Sequence, residues 1–135
     1  MILAAAYNEA KKGTCRRRNY GAVIVKGEHF SSGFTSSIDG QKCKRCLREE
    51  LNVPSGQRYE LCNSIHAEQM ALLTANFKTE GATIYLSGIE NNKEIDNPMP
   101  CLICLRMLVF SGVKTLINNK GSYNLEVLWN ERKTK

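Results

Sequence analysis

His66-Ala67-Glu68 and, 32 residues beyond Glu68, Pro100-Cys101-Leu102-Ile103-Cys104 are the residues of this chain best suited to chemistry. Histidine and cysteine are zinc ligands. A structural zinc site is closed by four protein ligands, whereas a catalytic one has three and keeps a position open for water. Three ligands beside a carboxylate that ligation does not need therefore predict a zinc-activated water, with Glu68 as its proton shuttle. Cys101 and Cys104, spaced i and i+3, fall on one face of the first turn of a helix. The positive end of the helix dipole there favours thiolate over thiol. Pro100 suits the start of such a helix because its missing N–H is not required.

Two helix starts must converge to make this pocket. Ser64 can cap a helix running to about Phe77, and Pro100 opens a second over Cys101–Ser111 that is apolar almost all round and therefore predicted to be buried. Residues 2–12 read as a helix stopped by Gly13, Tyr20–Lys26 and His29–Phe34 as a strand pair, and Thr35–Ser37 as the opening of a polar loop. Thr83–Ser87 is a third strand and Val113–Ile117 a fourth. Tyr123–Glu131 reads equally as helix or strand. Helix alternating with strand after residue 64 predicts an α/β sandwich with parallel neighbours. Asp39–Asn63 lacks periodicity and holds three cysteines; a loop of that length is usually functional or stapled.

The chain has 135 residues, enough for a single domain over 1–135 with one buried core. It is 42% hydrophobic and 24% charged, as in soluble globular proteins. No apolar run reaches membrane-spanning length, and Met1–Tyr7 is too short for a secretion signal, so a cytoplasmic location with no membrane partner is expected. In that setting six cysteines with two C-x-x-C pairs, Cys43/Cys46 and Cys101/Cys104, favour metal over disulfides. The net charge is +6, with basic residues clustered at Arg16–Arg18, at Lys42–Arg48 and in the Arg132–Lys135 tail. Part of this charge serves solubility; the rest suits a phosphate-bearing substrate or a nucleic-acid strand, which charge alone does not separate.

The pattern H-x-E…P-C-x-x-C is the established signature of the zinc-dependent nucleobase deaminases, and this chain carries it. Pro54–Cys62 and Ser64–Leu72 closely resemble deoxycytidylate (dCMP) deaminases, most of all the bacterial and archaeal branch that includes competence-operon deaminases. Thr14–Arg18, Gly21–Val25, Cys43, Cys46–Glu50 and Gly81–Tyr85 match the same branch, so the resemblance runs from about residue 10 to 118. It implies a three-layer α/β/α sandwich with a mixed central sheet, cytidine deaminase-like. It also implies a homo-oligomer that converts dCMP to dUMP and ammonia. Carried over by position, His66, Cys101 and Cys104 bind the catalytic zinc and Glu68 shuttles protons. The family often holds a second, structural zinc, for which Cys15, Cys43, Cys46 and Cys62 are the available ligands. The other reading of Cys15 or Cys62 is a small buried apolar side chain.

Where the family usually has Gly-Tyr-Asn-Gly, with the Asn toward the substrate sugar, this chain has Gly33-Phe34-Thr35-Ser36. Gly88–Met99 is longer and more polar than the usual approach to the second motif, and the short C-terminal end leaves a fifth strand reduced or lost. The substrate-binding candidates are Thr35, Ser36, Arg58 and Ala67, and the pool for a phosphate clamp is Arg16, Arg17, Arg18, Ser36, Lys42 and Arg58. Three functions compete. One is a deaminase of a cytosine nucleotide or another small aminated base or nucleoside. The second acts on a base in single-stranded nucleic acid or tRNA, against which the 7% aromatic content and the lack of basic–aromatic interleaving count. The third is a zinc-stapled interaction module, against which the intact Glu68 counts.

Overall fold

The computed structural model describes residues 1–76 and 78–133. Helix α1 (Ile2–Ala10) leads into the hairpin β1 (Arg18–Lys26) and β2 (His29–Phe34), turned by Gly27 in the left-handed region. A short β3 (Ser36–Ser37) follows. The irregular stretch after it contains a one-turn helix, α2 (Leu47–Glu50), and a 3₁₀ turn at Tyr59–Leu61. Then come β4 (Ser64–Ile65), α3 (Ala67–Thr74), β5 (Thr83–Glu90), β6 (Lys93–Glu94), α4 (Leu102–Phe110), β7 (Thr115–Asn118), β8 (Gly121–Asn124) and α5 (Leu125–Arg132).

The main sheet runs β2-β1-β5-β7-β8, with β6 folded back on the end of β5. Among the described residues only β5 and β7 pair in parallel and the other pairs are antiparallel, so the sheet is mixed. A parallel pair needs a crossover, and α4 supplies it. Helix α1 packs on one face of the sheet, α3 and α4 on the other, with α5 against α4. The core lies on the α3/α4 side, where Ala22, Ile24, Ile84, Leu86 and Leu116 meet Ala71, Leu105 and Leu108.

Two glycines set how closely the helices approach. A Cβ on Gly21 would lie 2.0 Å from the Ala6 carbonyl oxygen of α1. One on Gly33 would lie 2.3 Å from the Ala67 carbonyl oxygen and 2.6 Å from the Ala71 nitrogen of α3. Gly33 pairs with Ala22, one position along from Gly21, so the two glycines face opposite sides of the sheet.

Several sequence expectations need correction. Ser64 does not cap α3: it is drawn into β4, paired with Ser37, and the cap position passes to His66. The expected end of that helix at Phe77 lies outside the described residues. Thr35–Ser37 is not simply loop, because Ser36–Ser37 forms the partner strand of β4. Pro100 stands one residue before the cap of α4, which is Cys101. Helix α4 is not buried all round; Cys104, Leu105 and Leu108 face inward while Phe110 is 92% exposed. The ambiguous Tyr123–Glu131 segment is divided at Asn124, whose side chain accepts from the Val127 N–H and starts α5. The fifth strand is present as β8, four residues long and antiparallel to β7. The polar approach to Pro100 is longer because β5 continues to Glu90 and turns back through β6.

Candidate metal centre and its cavity

The N-termini of α3 and α4 meet. His66, at the cap of α3, has its backbone N–H held by the Gln69 side chain at 2.9 Å. Cys101, at the cap of α4, accepts the Cys104 N–H at its sulfur, as a serine cap does with oxygen. Across the gap, His66 Nδ1 lies 3.6 Å from Cys101 Sγ and 3.3 Å from Cys104 Sγ. All three ligand atoms fall within 4.8 Å of one another. Zinc with bonds of ~2.3 Å to sulfur and ~2.0 Å to nitrogen gives N···S edges of about 3.5 Å in a tetrahedron, so this set fits zinc.

The electrostatics suit the same use. Hydrogen bonding from Cys104 holds the Cys101 thiol down to about 4, and the same interaction with burial pushes Cys104 up. One proton shared by two sulfurs is what a cation would displace. The hydrogen bond to Cys101 raises the His66 pKa against the opposing effect of burial. Glu68 is 4% exposed, and burial raises its carboxyl to about 7. A carboxyl poised near neutrality can both take and give a proton.

The three candidate ligands and Glu68 lie in the wall of a cavity of about 470 Å³, within the size range of small-ligand pockets. Four guanidinium side chains, Arg17, Arg18, Arg48 and Arg132, line the same cavity. Interaction with Tyr20 raises the Arg18 pKa further, and Arg18 pairs with Glu90 at 3.3 Å. Arg48, nearly buried, donates to the Gln57 carbonyl at 2.9 Å and lies 4.7 Å above the Tyr59 ring. Tyr59 in turn meets the His66 ring edge-to-face at 5.1 Å. This stack runs from Arg48 through Tyr59 to the imidazole.

Among the sequence candidates, Thr35 is buried and lines the cavity, with its hydroxyl accepting the Tyr20 N–H at 2.9 Å. Ser36 is buried in β3, donates to the Ser37 carbonyl and is absent from the cavity wall. Ala67 is fully buried beneath Gly33 and is likewise no part of the wall. Arg58 is a correction: it points to solvent, in the left-handed region at φ +52°, and pairs with Glu60. Arg16 is drawn off by Glu49 and the Lys44 carbonyl, and Lys42 does not line the cavity either. Tyr20, Arg48, Tyr59 and Arg132 escaped sequence reasoning as site residues. Arg48 and Arg132 were visible only as members of basic clusters, and nothing local marked them as inward-facing.

All six cysteines are unpaired, which excludes disulfides in this structure. Among the described residues, His66, Cys101 and Cys104 form the metal-competent group. Cys15, Cys43, Cys46 and Cys62 are not gathered into one. Each sulfur is engaged locally: Cys15 accepts the Arg17 N–H, Cys43 contacts the Arg45 carbonyl, Cys46 caps α2, and Cys62 accepts the Ser64 N–H. Cys15, Cys46 and Cys62 do share the cavity wall, with Arg17 Nη1 3.8 Å from Cys46 Sγ. No helix among the described residues is long and apolar enough to cross a membrane.

Residues 1–119 match the family model described as the cytidine and deoxycytidylate deaminase zinc-binding region. A deoxycytidylate deaminase of Mycobacterium phage D29 is 28% identical over 129 residues, covering 90% of this chain and 93% of the phage protein. A deoxycytidylate deaminase of the yeast Schizosaccharomyces pombe is 27% identical over 121 residues, 87% of this chain, but the match spans only 35% of the yeast protein. Among solved structures, the dCMP deaminase of cyanophage S-TIM5 in complex with dCMP and dUMP aligns with a TM-score of 0.61 at 21% identity, covering 87% of this chain and 76% of that one. That likeness shows the fold, and the match over residues 1–119 decides the family: this chain belongs to the cytidine and deoxycytidylate deaminases with their zinc-binding region.

Proposed function

We propose that the chain hydrolytically deaminates a cytosine nucleotide, dCMP to dUMP and ammonia, within one domain over 1–135. The observation that carries this reading is the His66/Cys101/Cys104 group and the buried Glu68 lining a cavity shared with four arginines. Zinc, which those three residues would hold, would supply a Lewis acid that lets water ionise near neutral pH. Glu68 takes the water's proton and delivers it to the ring nitrogen beside the amine-bearing carbon. The remaining hydroxyl proton passes through the same carboxylate to the departing amine. Oxygen is gained, ammonia leaves, and Glu68 ends as it began. Burial serves the return of the proton, since it raises the carboxyl above the ordinary carboxylate range in the metal-free chain.

The arginines support a phosphate. Arg17 and Arg18 belong to the basic run expected to supply a clamp, and Arg48 and Arg132 extend the positive wall. Guanidinium groups suit phosphate through paired, charge-assisted hydrogen bonds. Thr35 replaces the family's usual Asn and already accepts the Tyr20 N–H, so it has less to offer a sugar hydroxyl. The named relatives act on dCMP by their descriptions, which supports the same substrate here. A second, structural zinc on Cys15, Cys43, Cys46 and Cys62 belongs to the proposal. Its support is a thiol count and C-x-x-C spacing that suit a four-thiolate site. A homo-oligomer in the cytoplasm completes it, resting on the family resemblance and open to sedimentation analysis.

Ammonia release measured across cytosine, cytidine, deoxycytidine, CMP, dCMP, dCTP, guanine and a cytosine-bearing single-stranded oligonucleotide tests the substrate. The highest kcat/KM is expected for dCMP, with the advantage over deoxycytidine shrinking as salt rises. Equal values for deoxycytidine and dCMP at low salt would remove the phosphate clamp. Preference for the oligonucleotide would replace the substrate class.

A further inference from the structure

The chain that delivers Cys101 to the site has little with which to hold itself. Asn97-Pro98-Met99-Pro100 precedes the cysteine, and neither proline offers an N–H. At its entrance Asn97 sits in the left-handed region at φ +52°, which costs a residue with a side chain and is restricted further ahead of proline. Such a conformation persists only where the surroundings determine it.

Those surroundings come from residues 118–132. Asn118 Nδ2 donates to both Asn97 Oδ1 and the Pro98 carbonyl, each at 2.9 Å. Asn119 accepts the Asn97 N–H at 2.8 Å and donates to the Ile95 carbonyl at 2.9 Å. Tyr123 donates its hydroxyl to Asn97 Oδ1 at 2.9 Å. Arg132, from the last turn of α5, donates Nη1 to the Pro100 carbonyl at 2.8 Å. Asn118 is 4% exposed, and its own oxygen accepts the Lys120 and Gly121 N–H groups that make the β7–β8 turn. One side chain thus shapes the hairpin and hangs the ligand-bearing segment from it.

We propose that Asn118 and Arg132 are positioning residues for the metal centre. Neither bonds to a candidate ligand; they set where Cys101 stands by gripping the carbonyls of the two prolines before it. Groups hydrogen-bonded to metal ligands typically change the affinity 10- to 100-fold when lost, and a grip on the backbone one step removed is expected at the lower end of that range. The match to the family model ends at residue 119, so Arg132 and Tyr123 act from beyond the matched region. The proposal rests on the three-ligand zinc site proposed above.

The test compares the full chain with Arg132→Met, Arg132→Lys, Tyr123→Phe and Asn118→Ser. Zinc retention is read by chelator competition, and geometry by the visible spectrum of the cobalt-substituted protein. Arg132→Met should hold zinc about tenfold more weakly and shift the cobalt bands, readouts that the phosphate wall does not move. Arg132→Lys, which keeps a donor, should recover much of the loss, and Tyr123→Phe should show a smaller change of the same kind. Asn118→Ser should have the largest effect; if it fails to fold, the partly exposed Arg132 and Tyr123 still decide the matter. Wild-type zinc affinity and cobalt spectrum in Arg132→Met and Tyr123→Phe, whatever happens to KM or Tm, would overturn the proposal. A wild type that binds no zinc would overturn it together with the reading beneath it. A wild type that binds zinc, with variants that bind it equally, would remove the positioning role alone.

Discussion

Cys101 and Cys104 stand in the opening turn of α4 and face His66 at the opening of α3, so the packing of two helices on one sheet brings their sulfurs and nitrogen together. Cys15, Cys43, Cys46 and Cys62 sit on connections between regular elements, and there each sulfur settles for the nearest backbone group or side chain. The first set is placed by the core. The second must be gathered by whatever binds it, because a loop has no packing that fixes its sulfurs beforehand. Preorganisation therefore divides the six cysteines more clearly than their spacing does.

The sharpest way to test the preorganised set is Glu68→Gln. Turnover should fall on the order of 10²–10⁴-fold or more, with zinc content unchanged, because in the proposed mechanism the side chain moves protons and is not a ligand. Ammonia release comparable to wild type would end its assignment. Next, Cys101→Ala should empty the centre, and Cys43→Ala or Cys46→Ala should cost the second of two zinc ions along with more of the folding stability. Metal analysis and thermal melts read both. One zinc in the wild type, with Cys43 and Cys46 readily alkylated under native conditions, would leave the second set as thiols only.

A third test concerns stability. Burial raises the Glu68 carboxyl from 4.5 to about 7, so in zinc-free protein the folded state holds this proton more tightly than the unfolded state. Its contribution is complete below about 4.5 and is lost as pH rises through about 7, a fall of ~3 kcal/mol at most. Urea melts of zinc-free Glu68→Gln should lack that decline. Equal slopes for both proteins between pH 5 and 8 would contradict it. The smallest effects concern the arginines. Arg18→Ala should lower kcat/KM for dCMP about tenfold with little change for deoxycytidine, as expected for one charge-assisted bond. Arg58→Ala should change neither by more than about twofold, and a larger change would return Arg58 to the site.

The chemistry was legible because it is written in residue types at short spacing: His66 with Glu68, and Cys101 with Cys104. The strand pair β1/β2 and the parallel β5/β7 crossover followed from β-branched runs and helix–strand alternation. What was hidden depends on partners far along the chain. Arg58 and Arg48 are alike in sequence, yet the left-handed turn sends one to Glu60 while the one-turn helix α2 lays the other on Tyr59. Ser64 is a good cap by type, but Ser37 claims its backbone first. The grip on the Pro98–Pro100 segment joins side chains from residues 118–132 to carbonyls roughly 20 to 32 residues earlier, which no window along the sequence contains.

Gly33 touches neither the metal centre nor the cavity wall, yet it sets the distance between sheet and α3 beneath His66. A single added methyl group there would meet backbone, which has no rotamer to yield, and the helix carrying His66 would have to ride up. In a saturation screen scored by turnover, position 33 would rank beside Glu68, the proposed proton shuttle. An experimenter ranking residues by lost activity would then mistake a spacer for a reactant. Metal content and melting behaviour measured alongside activity would tell the two apart, since Glu68→Gln should keep its zinc and any residue larger than glycine at 33 should not.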